Sequence, residues 1–245
     1  MGTRDPTING RISLGLPETK NTKRVSERNN LNSEFNMGTD QEERERIIQL
    51  TKDEFFQRGF HRVTVDELAA KLGMSKKTIY KYFPAKEDLV RSVVYYVRDQ
   101  VGRDAEAVFQ ADKPFATKTV ALLTIVGRIW GTMGRQFPDD LRRYAPELWA
   151  EIQKFRHDNI IAKLNVLFRD AKRDGVFREE VNVDVFHLLF QGAIEGIMNP
   201  HVLSEQSFSA AEAFRQILHI LFEGVLTDAS RKELQAVERT AQQRA

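Results

Sequence analysis

Between Thr64 and Leu72 the apolar positions fall at Val65, Leu68, Ala69 and Leu72, spaced i, i+3, i+4 and i+7. That spacing gathers them on one face of a helix. Thr64 and Glu67, three residues apart, predict a capping box at its start. Gly73-Met74 supply a turn, and Ser75 caps a short helix running to about Tyr82. Pro84 then breaks the chain before a longer helix, "KEDLVRSVVYYVRDQV". Upstream, "DQEERERIIQLTKDEFFQRGF" carries acids in its first turn, Ile47, Leu50 and Phe55 along one side, and Gly59 as a stop.

The helical period continues downstream. Phe115, Thr119, Leu122, Val126, Ile129 and Met133 form one stripe. Pro146 opens a long helix whose Trp149, Ile152, Ile160, Leu164, Leu167 and Ala171 share a face, and Gly175 ends it. Asn182 caps "VDVFHLLFQGAIEGIMN", and Ser209 with Glu212 predicts a second capping box before "AFRQILHILFEGVL". No strand and no fixed-period repeat is expected. The fold class is all-α. A disordered leader spans 1–39, a three-helix helix-turn-helix head 40–86, a larger helical domain 87–227, and a polar, fraying tail 228–245. Met1-Gly2-Thr3 recurs as Met37-Gly38-Thr39, which leaves open a physiological start at Met37 or a chance recurrence.

Composition narrows the classes. The chain has 245 residues and no cysteine, so disulfides and thiolate metal sites are excluded. That fits a cytoplasmic protein. No apolar run reaches membrane-span length. The five histidines make no metal pattern, and no HExxH, P-loop, GxGxxG or GxSxG is present. No catalytic residue, metal or cofactor is expected, and no enzyme. The net charge of +2 carries no message by itself, so the placement of charge must.

That placement is uneven. Lys71, Lys76, Lys77, Lys81 and Lys86 fall in one segment with no acid between Lys71 and Lys86. Two short helices joined by a glycine turn have helix-turn-helix geometry, whose second helix enters the major groove. In "SKKTIYKY", Ile79 must face back onto Leu68 and Leu72. Lys76, Lys77, Thr78, Tyr80, Lys81 and Tyr82 are left to point outward or sideways. Lysines pair with phosphates, hydroxyls donate to phosphate oxygens, and an acid there would be repelled. The plain alternative is a solvated lysine face.

"TVDELAAKLGMSKKTIYKYFPAKEDLV" is similar to the signature of the tetracycline-repressor (TetR) family. In that family a Thr starts the second helix, an "LA" pair packs it, and "G.S..T.Y.YF..KE.L" follows. The close likeness covers Ile47 to about Val93; beyond it, only the helical architecture is shared. The resemblance implies that Thr64 contacts a phosphate and that Ser75, Lys76, Lys77 and Thr78 lie along the groove. Tyr80 and Tyr82 would clamp the backbone, with Lys81 beside them, and Lys86 would take another phosphate. Ala85 departs from the family's usual Ser or Asn at this cap, at a cost of ~1 kcal/mol.

The last two long helices are hydrophobic around most of their circumference, so one side needs a partner or a deep core. A second copy is the simplest partner, and a fully buried pair in a monomer the alternative. Family members typically dimerise through these helices, which implies Phe186, Phe190, Gly192, Gly196, Phe214, Ile217, Leu221 and Phe222 at the interface. The resemblance also implies a cavity for an apolar or amphipathic small molecule. Phe109, Trp130, Met133, Phe137 and Trp149 are its candidate lining. Gln191 and Glu195, in a polar stripe with His187, are candidate polar contacts. The expected function is a homodimeric repressor on double-stranded, palindromic operator DNA, released by a ligand. The alternative is a ligand-independent architectural or protein-interaction factor on DNA.

Overall fold

The computed structural model describes residues 40–197, 202–203 and 205–243. The leader 1–39, with its second Met-Gly-Thr, lies outside the described residues. The chain divides into two units, 1–45 and 46–245. Of the first, residues 40–45 are described as helix, in which Gln41 Nε2 donates to Glu45 Oε1 at 3.0 Å.

The second unit opens with α1, residues 46–58. It continues through α2 (Val65–Leu72), α3 (Lys76–Tyr82) and α4 (Lys86–Gln110). Then come α5 (Phe115–Thr132), α6 (Gln136–Tyr144), α7 (Pro146–Arg156) and α8 (Ala162–Arg173). The described body closes with α9 (Val183–Ile197), α10 (Ala210–Glu223) and α11 (Asp228–Gln242). Among the described residues there is no strand, only an isolated antiparallel bridge between Phe177 and Leu226. None of their helices is long and apolar enough to cross a membrane.

Side-chain caps fix several boundaries. Asn182 Oδ1 accepts from the backbone N–H groups of Asp184 and Val185, at 3.0 and 3.1 Å, and starts α9. Ser209 Oγ accepts from Glu212 N–H at 3.1 Å and starts α10. Ala85 has no cap to offer α4, but Asp88 reaches back and accepts from Ala85 N–H at 3.1 Å. The carboxylate satisfies one of the helix's first donors and offsets part of the cost of alanine. The long helix expected from Pro146 to Gly175 is interrupted: a π-helical turn, His157–Ile161, separates α7 from α8.

Two cores hold this unit. The first gathers Ile47 and Phe55 of α1, Leu68 of α2 and Ile79 of α3 with Val93 of α4, Phe137 and Leu141 of α6, and Leu148 of α7. The expected boundary after residue 86 is therefore not a break in packing. α4 carries apolar positions from the head straight into the body. The second core centres on Phe168, which is 1% exposed. Phe177, Phe186, Phe190 and Phe222 surround its ring at centroid distances between 5.0 and 6.2 Å.

Two expectations are corrected here. Phe186, Phe190, Ile217 and Phe222 are buried in the chain's own second core rather than on a dimer surface, and Phe214 and Leu221 pack against it. Helices apolar on several sides left the inward face undecided, and the largest rings turned inward. The outer face of α9 carries Val185, Leu188 and Leu189 in line with the exposed Gly192 and Gly196. The segment after Thr227 is not a fraying tail. Thr227 Oγ1 accepts from Ser230 N–H at 3.4 Å to cap α11, and Leu234, Val237 and Ala241 join the second core. Their spacing of three and seven residues makes an apolar edge that docks on α5.

Candidate functional site

The head is built from short-range chemistry. Thr64 Oγ1 accepts from Glu67 N–H at 3.2 Å, while Glu67 Oε2 accepts from Thr64 N–H at 2.8 Å. Arg58 donates to the other Glu67 oxygen at 2.8 Å, and these bonds hold the carboxyl down at a pKa of about 2. Gly73 ends α2 at φ 67°, a left-handed conformation that costs glycine little. Ser75 Oγ then accepts from Thr78 N–H at 3.0 Å and starts α3. Ile79, 1% exposed, is the only buried residue of α3, and Lys76, Lys77, Tyr80 and Lys81 stand exposed around it. Thr78, Tyr82 and Lys86 are half-buried at the edges of the same surface.

Not every candidate donor faces outward freely. Lys76 Nζ pairs with Asp66 at 3.0 Å, and Lys71 pairs with Glu54 at 2.5 Å. The acid-free stretch is thus partly neutralised by acids that precede it. Lys81 Nζ donates to Tyr82 Oη at 3.2 Å, and Lys86 Nζ donates to the His61 carbonyl at 3.3 Å. Desolvation lowers the Lys86 pKa. The hydroxyls of Thr64 and Ser75 are engaged in their caps, and Thr64 Oγ1 also donates to Glu67 Oε2 at 3.0 Å.

α6 ties this head to the body. Asp140, 1% exposed, accepts from His61 N–H at 2.8 Å and from Gln136 Nε2 at 2.7 Å. The His61 ring stacks on Tyr144 at 4.0 Å, and Gly134 N–H donates to the Phe56 carbonyl at 2.7 Å. Gly59, at φ 77°, permits this docking, because a Cβ there would stand 2.3 Å from Gln136 Cγ and 2.5 Å from an Asp140 oxygen. Sequence reasoning missed Asp140. It is one of two adjacent aspartates in "QFPDDLRRY", and nothing local marks it as the buried one.

A cavity of about 410 Å³ lies on the other side of α6. Phe137 and Leu141 of α6 line it, together with Met133, Trp149, Phe155 and Arg156. A second, narrower cavity of about 180 Å³ shares Val101, Ile129, Arg156 and Ile160 with it. Of the residues expected to line a pocket, Met133, Phe137, Trp149 and Glu195 do line the larger cavity. Phe109 and Gln191 line neither cavity: Phe109 lies under Lys163 Nζ, and Gln191 donates to Glu195 at 3.0 Å. Both sit on helices with cavity-lining positions, one turn along from Ala105 and Glu195 respectively. The side chain of Trp130 lies outside the described residues. Arg156 was overlooked because an arginine near a helix end usually lies in solvent.

Residues 47–93 match the sequence model of the family described as bacterial regulatory proteins, tetR family. Over that segment the head is of the tetR type, and the chain is similar to DNA-binding transcriptional regulators of that family. The chain is 24% identical over 173 residues to the HTH-type transcriptional regulator YvaF of Bacillus subtilis, covering 70% of itself and 90% of that protein. It is 23% identical over 174 residues to the nucleoid occlusion factor SlmA of Photobacterium profundum, covering 66% and 85%. Its fold is that of a transcriptional regulator from Saccharomonospora viridis crystallised with choline. That match has a TM-score of 0.62 at 20% identity and covers 76% of this chain and 99% of the other.

Proposed function

We propose that this chain is a TetR-family regulator, a cytoplasmic repressor that binds a palindromic operator as a homodimer and is released when a small amphipathic molecule fills the larger cavity. The observation that carries the proposal is the two-sided position of α6. Phe137 and Leu141 line the cavity, while Asp140, on the same helix, holds the His61 backbone of the head. A ligand that shifts α6 therefore pulls on the turn between α1 and α2. α4, which runs from the head surface to Val94, Val97 and Val101 at the cavity wall, gives a second connection.

Operator contact falls to the α3 surface, where Ser75, Lys76, Lys77, Tyr80 and Lys81 are exposed together with Thr64, and Thr78, Tyr82 and Lys86 lie half-buried beside them. The dimer surface is the outer stripe Val185, Leu188, Leu189, Gly192 and Gly196 of α9, with Ile220 of α10. The apolar members of that stripe are more than half exposed, and an apolar stripe of this kind on a soluble chain marks an interface. The two small residues permit a close helix crossing.

The likeness to a nucleoid occlusion factor favours a second reading, a DNA-bound architectural factor without a ligand. The cavity supports the ligand-responsive reading, since 410 Å³ lies within the usual range for small-molecule sites, about 300–1,000 Å³. A ligand moves an equilibrium only by its differential affinity for the two states, and linkage makes the effect reciprocal. Titration of a cavity ligand with and without operator DNA is the test. Weaker ligand binding in the presence of operator is expected, and equal affinities would remove that ligand as the inducer.

A further inference from the structure

Arg156 closes α7 at the wall shared by the two cavities. Its side chain is 29% exposed, and Nε is buried with no hydrogen-bond partner. Its anionic neighbour is Glu195, whose oxygen lies 3.9 Å from Nη2, too far for a hydrogen bond. Glu195 is itself half exposed and accepts from Gln191 at 3.0 Å. Burial pushes the Arg156 guanidinium below its usual range, and Glu195 opposes that only in part. Such a cation is costly to keep unless something pairs with it.

The surroundings narrow what that something is. Arg98 and Arg142 also line the larger cavity, against one acid, Glu195. Arg98 is already paired with Asp99 at 2.7 Å and stacked on Tyr95. A ligand cation would meet like charge. Away from Arg156 the narrower cavity is walled by aliphatic and phenylalanine side chains, with Thr119 the one other polar residue. The helix also loses its regular hydrogen bonding directly after Arg156, in the π turn His157–Ile161, whose Ile160 touches both cavities. Such turns recur at functional sites.

We propose that the cavities bind one long-chain carboxylate, its head forked on the Arg156 guanidinium and its hydrocarbon running into the narrower cavity. A carboxylate matches the planar donor fork of arginine and satisfies the orphaned Nε–H. The hydrocarbon fills apolar space that water occupies poorly. This rests on the ligand-responsive reading above but names the ligand class and the residue that selects it.

The test is calorimetry on the full chain with dodecanoate, dodecan-1-ol and dodecyltrimethylammonium, three probes of equal chain length. Dodecanoate should bind tightest and the ammonium weakest. Arg156→Gln should weaken dodecanoate about ten- to a hundredfold, as for the loss of a hydrogen bond to a charged group, and leave dodecanol almost unchanged. Arg156→Lys should keep part of the preference. Glu195→Gln should tighten dodecanoate by removing the competing anion, a gain that a purely structural role for Arg156 does not supply. A thermal melt of each variant establishes folding. Dodecanol binding as tightly as dodecanoate, an unchanged dodecanoate affinity in Arg156→Gln, or no dodecanoate binding to wild type would each overturn the proposal. Dodecanoate binding through Arg156 with no effect on operator affinity would sustain it and overturn the repressor-release reading instead. Release by a ligand indifferent to Arg156 would do the reverse.

Discussion

The carboxylate of Asp140 accepts the backbone N–H of His61 at 2.8 Å, across 79 positions of sequence. The acceptor is buried and sits on a helix of nine residues whose other face lines the cavity. A rigid short helix cannot move one face without the other. Asp140→Ala leaves the His61 N–H and the Gln136 amide without their acceptor, at a cost of about 1–3 kcal/mol. The expected outcome is a lower melting temperature and a smaller ligand-induced loss of operator affinity. Asp140→Asn keeps an acceptor for His61 and should fall between the two. A full ligand response in Asp140→Ala would show that α4 alone carries the signal.

Lys76 is held at 3.0 Å by Asp66, on the helix before the glycine turn. Both side chains are largely exposed, so the pair itself holds the lysine only weakly. Asp66→Asn releases the lysine and removes a negative charge beside the proposed phosphate contacts. Operator affinity should rise by about twofold to fivefold. Lys77→Ala, by contrast, should reduce the salt slope of log K by about 0.9 if it contacts one phosphate. Fluorescence anisotropy across a salt series measures both. A weaker complex in Asp66→Asn would mean that the pair orients Lys76 for binding.

What was legible in the sequence follows the range of the interactions. α2 and α3 were readable because their signals are local: a Thr64–Glu67 box, a left-handed Gly73, a Ser75 cap and one buried Ile79. The α6 docking was not, since Gly59 and Asp140 look ordinary until the fold brings them together. α9 read correctly as apolar on several sides, but the period does not say which side meets Phe168. α11 was misread because Leu234, Val237 and Ala241 are sparse among charges, and a narrow apolar edge suffices for docking on one helix. Arg156 carries no local sign that its Nε is buried.

Glu67 gives the head a pH signature. Its folded pKa is lowered from 4.5 to about 2, first by the hydrogen bond from Arg58 and then by those from Thr64. A depressed carboxylate contributes stability above its unfolded pKa, and that contribution is lost as pH falls through the folded one. The window is therefore pH 4.5 down to about 2. Glu67→Gln should melt below wild type at neutral pH, with the gap narrowing across that window. A gap that does not change between pH 6 and about 2 would mean that the Arg58 and Thr64 bonds do not favour the charged form.

The outer stripe of α9 makes the last prediction. Leu188 is 66% exposed, Leu189 58% and Val185 52%, and Ile220 on α10 is 66% exposed. Nothing lies within 4 Å of a Cβ built on Gly192 or Gly196. A charge placed on this stripe disturbs no core of the single chain, in contrast to one at Ile217 or Phe222, which would unfold it. Leu189→Glu with Ile220→Glu should therefore leave a folded, helical monomer. If two copies meet here, the variant buries unpaired charge at the crossing, a penalty of several kcal/mol. Sedimentation should show wild-type dimers and variant monomers at micromolar concentration. Operator affinity should collapse toward that of one half-site, because a two-fold dimer reads two half-sites at once. A variant that still sediments as a dimer would move the interface to another surface, and Val166 on α8, 60% exposed, would be the next position to charge.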